Sequence, residues 1–365
     1  MSVATSIAPA GRWLLHSGIR QPSSGGFARY YDAETGKNRA VSTEISGYAA
    51  SALVYLFQLT GDEAYLASAK ETACFLVRAW DRSLQTFPFE HPSPSPESEH
   101  LSYFFDSGII IRGLLAVWRQ THDEMLLEIA GAAAQRMVAD FHAHPEYHPI
   151  LTLPEKAPLP RGWQWSRNPG CYQLKSALAW REVAQITGDR ALTDAWLEIL
   201  KETTETHGAF LPGAECPQRI MDRLHPYCYF LEGLTPELDR PECAAAYAEG
   251  LKTVAKWLHE IEPTFVRSDV YAQLLRARLC GAAIAPLDVA AARREAERLT
   301  GFQAVSSDPR IDGGFRFGRR DGKMSSHLNP VSTVFAIQAL EMWRRAQRNT
   351  KDGAEDDAPW TRIPI

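Results

Sequence analysis

Three carboxylates in this chain stand where side-chain chemistry is easiest to place. Glu44, Asp106 and Asp269 each fall at the start of an apolar stretch with helical spacing. Glu215, Asp222 and Asp312 lie in the polar segments between such stretches. A glycosidic bond is cleaved by two carboxyl groups flanking it, one kept protonated by its surroundings and the other ionised. A carboxylate in a first helical turn also has a plainer role, as complement to the helix dipole. For each acid alone that role stands beside the catalytic one; the set of three is what favours a shared cavity. Spacing along the chain does not fix which pair would flank a bond, so the stereochemical outcome stays open.

The densest polar and aromatic cluster is Ile220-Met-Asp222-Arg223-Leu-His225-Pro-Tyr227-Cys-Tyr229. His225 titrates near neutrality when unperturbed and suits a general acid or base; a hydrogen bond to a neighbouring loop is the structural alternative. His327, ahead of Asn329, invites the same two readings. Arg112 sits in Ile109-Ile-Ile-Arg112-Gly-Leu-Leu, an otherwise apolar helix. A buried guanidinium needs an anion, either an internal carboxylate or that of a ligand. Lys175 and Arg276 pose a weaker form of the same question. Tyr48, Tyr103, Trp163 and Trp165 are aromatic groups able to stack on a sugar, and the tryptophans serve equally well as core.

Metal and cofactor motifs are missing. No HExxH, G-x-S-x-G or Walker loop occurs, and the six cysteines make no CxxC or Cys/His zinc spacing, so neither a metal nor a cofactor is expected. The 39 basic and 44 acidic residues give a net charge of −5, which disfavours a nucleic-acid partner. No apolar run reaches membrane-spanning length, and the first residues lack the pattern of a secretory signal, so the reading expects a cytoplasmic protein with no membrane partner. Oligomeric state is not legible.

Repeats show what must position these groups. Gln58-Leu-Thr-Gly-Asp62 returns as Gln185-Ile-Thr-Gly-Asp189, with Gln120-Thr-His-Asp123 about midway. Each follows an apolar helical run and precedes an amphipathic one. Gly61 and Gly188 suit a left-handed helix end, and the aspartates suit the next N-cap. The unit is a helical hairpin recurring every 60 residues or so. Gly-Gly-Phe elements at 25–27 and 313–315 tie the two ends of the chain into the same pattern. Apolar helices are expected near residues 43–59, 104–120, 171–187, 226–235, 268–281 and 330–347. Amphipathic partners are expected near 62–80, 123–142, 190–207, 241–260 and 287–300, with Ser6–Gly18 as the sixth. This predicts an all-α fold, an (α/α)6 toroid of six inner and six outer helices, as one domain over 1–347 with a tail over 348–365. Most outer-to-inner connections are long and aromatic-rich, which argues for a ligand cleft on the loop-bearing rim.

The hairpins, the Gly-Gly-Phe elements and Phe105-Asp-Ser-Gly-Ile-Ile-Ile-Arg-Gly-Leu-Leu115 resemble carbohydrate-active (α/α)6 toroids. Glu44-Ile-Ser-Gly-Tyr48 leading into Gln58-Leu-Thr-Gly-Asp-Glu-Ala-Tyr-Leu66 is similar to toroids of bacterial polysaccharide clusters and, more distantly, to glucuronyl C5-epimerase C-terminal domains. The resemblance implies a carbohydrate substrate, with uronate-containing oligo- or polysaccharides among the candidates. Within it, three activities remain open. Glycoside hydrolysis would use Glu44, Asp106 or Asp269. Epimerisation or elimination next to a sugar carboxylate would use Tyr48, Tyr103, His225 or Tyr229 as base, with Arg112 on the acid. A non-catalytic glycan-binding toroid would keep only the aromatic rim. Hydrolysis is slightly favoured.

Overall fold

The computed structural model describes residues 3–91, 100–144, 146–211, 217–352 and 365. Glu215, Cys216 and the tail residues 353–364 lie outside the described residues. Twelve α-helices run through the described residues: α1 Val3–His16, α2 Thr43–Thr60, α3 Glu63–Ala79, α4 Phe104–Thr121, α5 Glu124–Phe141, α6 Gln173–Thr187, α7 Arg190–Phe210, α8 Pro217–Leu234, α9 Pro241–Ile261, α10 Ser268–Cys280, α11 Val289–Thr300 and α12 Pro330–Asp352. None is long and apolar enough to cross a membrane.

The repeated turn works as its chemistry requires. Gly61 ends α2 at φ 71°, its amide donating to the Phe57 carbonyl, and Asp62 caps α3 by accepting from the Ala64 amide at 2.9 Å. Gly188 and Asp189 repeat this between α6 and α7. Between α4 and α5 the left-handed position is held by His122 at φ 53°, and Asp123 caps α5.

One helix departs from expectation. α8 begins at Pro217, well ahead of the predicted start, and carries Pro226 inside it. Pro226 removes the amide that would bond the Asp222 carbonyl. Ile220, Met221 and Leu224, all buried on the added turns, offset that loss.

The chain packs as two compact units, one of residues 18–29 and 38–206, the other of 1–17, 30–37 and 207–365. In the 38–206 unit, α2 lies on α4 and α4 on α6, while α3 and α5 pair with α2 and α4. Glycines set those spacings. A Cβ on Gly47 would stand 2.9 Å from the Ile109 carbonyl, and one on Gly113 would stand 2.6 Å from the Gly47 carbonyl. In the 207–365 unit, α10 packs on α8 and α12, and α1 packs on α12, as the pairing of the first helix with the last predicted.

Short antiparallel strands, too brief for a periodic signature, enter three of the apolar helices. Val41–Ser42 pairs with Phe27–Ala28 before α2, Leu101–Tyr103 with Ile150–Thr152 before α4, and Phe265–Arg267 with Gly318–Arg320 before α10. Each strand pins the first turn of the helix behind it. Those turns carry Glu44, Asp106 and Asp269.

Candidate functional site

In the 38–206 unit the first turns of α2 and α4 bring two acids together. Ser42 caps α2, accepting from the Ile45 amide at 3.3 Å, which places Glu44 in the opening turn. Ser176 on α6 donates to the Phe104 and Phe105 carbonyls at 2.9 and 2.8 Å, holding the start of α4 and so Asp106. The close approach at Gly47 follows Glu44 by three residues, so the helices meet near where the acids sit.

Glu44 is half-buried and Asp106 buried. Loss of water pushes the Glu44 carboxyl up to about 7, against the opposing pull of the Arg29 and Lys175 charges. Burial raises Asp106 well above the ordinary carboxylate range, and the negative charge of Glu44 raises it further while Arg29 opposes. Asp106 Oδ2 is buried with no hydrogen-bond partner among the described residues, as suits a carboxyl that keeps its proton. Two neighbouring acids, both raised by burial and one raised further by the other's charge, are the components of acid–base catalysis at a glycosidic oxygen.

Two cations act on the pair, and each has an aromatic neighbour. Lys175 is fully buried, with Nζ 5.0 Å from the centre of the Tyr48 ring. Arg29 lies over the Phe89 ring at 5.1 Å and reaches Glu90 at 3.3 Å. Tyr103 packs on Phe89 at 5.1 Å, and Trp165 meets Tyr172 edge-on at 5.0 Å. Tyr48 is buried, and Trp163 is 84% exposed.

The 207–365 unit holds a second cluster. Arg267 grips Asp269 with Nε at 3.0 Å and Nη2 at 2.5 Å, and the Val270 amide donates to the same carboxylate at 2.9 Å. His225 Nδ1 lies 2.9 Å from Gln273 Oε1 and 3.6 Å from Asp269 Oδ2. Burial works against the charge on Asp269, but Arg267, His225 and the hydrogen bonds outweigh it and hold the carboxyl below its ordinary value. Gln273 Oε1 can only accept, so His225 Nδ1 carries a proton, and this hydrogen bond fixes how the ring is turned. Tyr229 meets His225 edge-on at 4.6 Å. Burial raises Asp222, against Arg267 and Arg320.

Other sequence candidates have structural partners. Arg112 Nε donates to Glu182 at 2.7 Å, and Arg119 holds the other oxygen at 2.8 Å. The anion that Arg112 requires is thus supplied from α6. Burial would raise Glu182, yet the two guanidiniums keep it below its usual value. Tyr227 is buried with its hydroxyl 2.8 Å from His207 Nδ1. Arg223 covers the Phe210 ring at 4.8 Å. Asp312 accepts from the Ser306 amide at 3.1 Å and shapes its loop. His327 stacks on Tyr30 at 4.1 Å. Sequence reasoning missed Arg29, Arg267, Gln273 and Arg320. Only Arg267 carried a local signal, two residues before an acid in a first turn.

No protein-family profile and no curated protein matches the chain. Solved structures do. A cellobiose 2-epimerase from Spirochaeta thermophila superposes with a TM-score of 0.68 at 13% identity, over 93% of this chain and 96% of that one. An unsaturated glucuronyl hydrolase from a Bacillus species, responsible for glycosaminoglycan degradation, gives 0.66 at 15%, over 94% and 97%. A D-mannose isomerase gives 0.69 at 10%, over 94% and 97%. The fold is therefore the (α/α)6 toroid of these carbohydrate enzymes, matched over nearly the full chain.

Proposed function

We propose that the protein is a carbohydrate-active enzyme that hydrolyses a glycosidic bond, with Glu44 and Asp106 as its paired carboxyls. The observation that carries this reading is the pair itself: two first-turn acids, both raised by burial, with Asp106 raised further by the charge of Glu44. Asp106 is the protonated partner and serves as general acid to the leaving oxygen. Glu44, ionising near neutrality, activates water or attacks the sugar carbon. Arg29 and Lys175 add positive charge beside the acids, which suits an acidic sugar such as a uronate.

Proton transfer at carbon is the second reading, because His225 with Gln273 and Asp269 forms an oriented imidazole. In that chemistry Arg112 is the candidate for a sugar carboxylate, and its Nε is held by Glu182.

The test is incubation in D2O with neutral and uronate-containing oligosaccharides, followed by mass and NMR. A new reducing end without deuterium on carbon, lost in Asp106→Asn and kept in His225→Ala, is the expected result. Deuterium entering at carbon, or a new double bond, with the opposite mutant pattern would overturn hydrolysis. No turnover of any oligosaccharide that binds would favour a glycan-binding toroid.

A further inference from the structure

Far along the chain from the acid pair, two histidines and a glutamate converge on the surface of the 38–206 unit. α5 ends at Phe141, and residues 142–143 pair antiparallel with 146–147, His142 opposite Tyr147. His142 opens this strand and His144 follows it in the turn. Glu198 comes from the middle of α7, and its Oε1 lies 3.2 Å from His144 Nδ1. The two imidazoles stand 6.0 Å apart, centre to centre. One ligand atom from each of the three residues lies within 4.8 Å of the other two.

We propose that His142, His144 and Glu198 form a binding site for a divalent transition-metal ion of zinc's class. Two imidazole nitrogens and a carboxylate oxygen suit zinc rather than calcium or magnesium, which prefer all-oxygen shells. Ligands about 2.1 Å from a tetrahedral ion stand about 3.4 Å apart. The His144–Glu198 separation already has that span, and the exposed His142 ring closes the remainder by rotating. The surroundings favour a cation. Glu146 and Glu205 both bear on Glu202, one turn beyond Glu198 on α7, and burial with their charges raises its carboxyl. Arg161 is paired to Glu146 at 2.5 Å.

The ion would clip the start of the 142–172 connection to α7. That connection carries Trp163 and Trp165 and leads into α6, which bears Lys175. The sequence reading expected no metal because HExxH and Cys/His zinc spacings are absent, and here the third ligand lies 54 residues beyond His144.

The experiment is calorimetric titration of ZnCl2 into the chelator-treated protein carrying Cys74→Ser, which removes an exposed thiol as a rival ligand. Thermal melting with and without zinc accompanies it. The expected result is one binding equivalent that His144→Ala and Glu198→Gln each weaken by at least about tenfold, the lower end of losses seen when only a supporting partner of a metal ligand is removed. Zinc should raise the melting temperature of the parent and not of His144→Ala. Because all three side chains are exposed, these variants keep the fold, which their zinc-free melting checks. No binding by the parent, or equal binding by the His142→Ala/His144→Ala double variant, overturns the proposal.

Discussion

Asp106 and Asp269 begin from the same local design, yet their carboxyl pKa values are pushed in opposite directions. Each sits in the first turn of an apolar helix, directly behind a short strand, and each is buried. Burial raises both. What differs is the company. Asp106 shares its surroundings with another acid and leaves Oδ2 without a hydrogen-bond partner among the described residues. Asp269 receives a two-pronged guanidinium, a backbone amide and an imidazole. The helix start supplies a position; the neighbours choose whether that position holds an acid or an anion.

The widest separation between the two should appear on substitution. If the proposed hydrolysis is right, Asp106→Asn lowers kcat by roughly 10²- to 10⁴-fold, the usual contribution of a positioned proton donor. Its stability changes by no more than about 1 kcal/mol, the scale of one net hydrogen bond, because no charge is removed. Asp269→Asn does the reverse to the fold: it strands the Arg267 guanidinium and costs about 3–5 kcal/mol in urea denaturation. Equal stability losses in the two variants would break the comparison.

The same contrast has a sign in pH. Glu44 titrates higher folded than unfolded, raised from 4.5 to about 7. Between those values the folded protein holds a proton that the unfolded chain has lost, so its contribution to stability is full below the lower value and falls as pH rises through the window. Asp269, held below its ordinary value of 3.8, contributes stability above that value, which is lost as pH falls through its folded pKa. Subtracting the Glu44→Gln stability profile from that of the parent should therefore show a decline from pH 4.5 towards 7. A flat difference would mean that Glu44 is as well solvated folded as unfolded. For hydrolysis, the rate should rise as Glu44 ionises near 7 and fall on the alkaline side as Asp106 loses its proton.

How much of this was legible follows from how local each cause is. Helix positions came from apolar spacing and from Gly-Asp turns, which act over a few residues. The strands behind Glu44, Asp106 and Asp269 were invisible because two or three residues make no alternation, and their partners sit in other loops. Arg112 and Glu182 are 70 residues apart, so the demand for an anion was visible locally and its source was not. Charge state was least legible of all. Nothing local to Asp106 says that Glu44 arrives beside it, whereas the nearness of Arg267 to Asp269 was written in the chain and went unused.

The smallest effect tests a second difference between the units, at their turns. The hairpins of the 38–206 unit end their first helices left-handed, at Gly61, His122 and Gly188. In the other unit, α10 gives way to Gly281 at φ −62°, in the ordinary right-handed region. A left-handed L-residue costs about 1–2 kcal/mol, which His122→Gly should recover. Against it stand the extra freedom of glycine in the unfolded chain, about 0.4–1 kcal/mol, and the edge-on contact of His122 with Trp118 at 6.2 Å between centres. The expected net gain is about 0.5 kcal/mol by the difference of those terms, while Gly188→Ala should lose stability at the equivalent position. Urea midpoints that move in these opposite directions make backbone handedness the controlling feature of the turn. A loss in His122→Gly would transfer that role to the imidazole ring and its contact with Trp118.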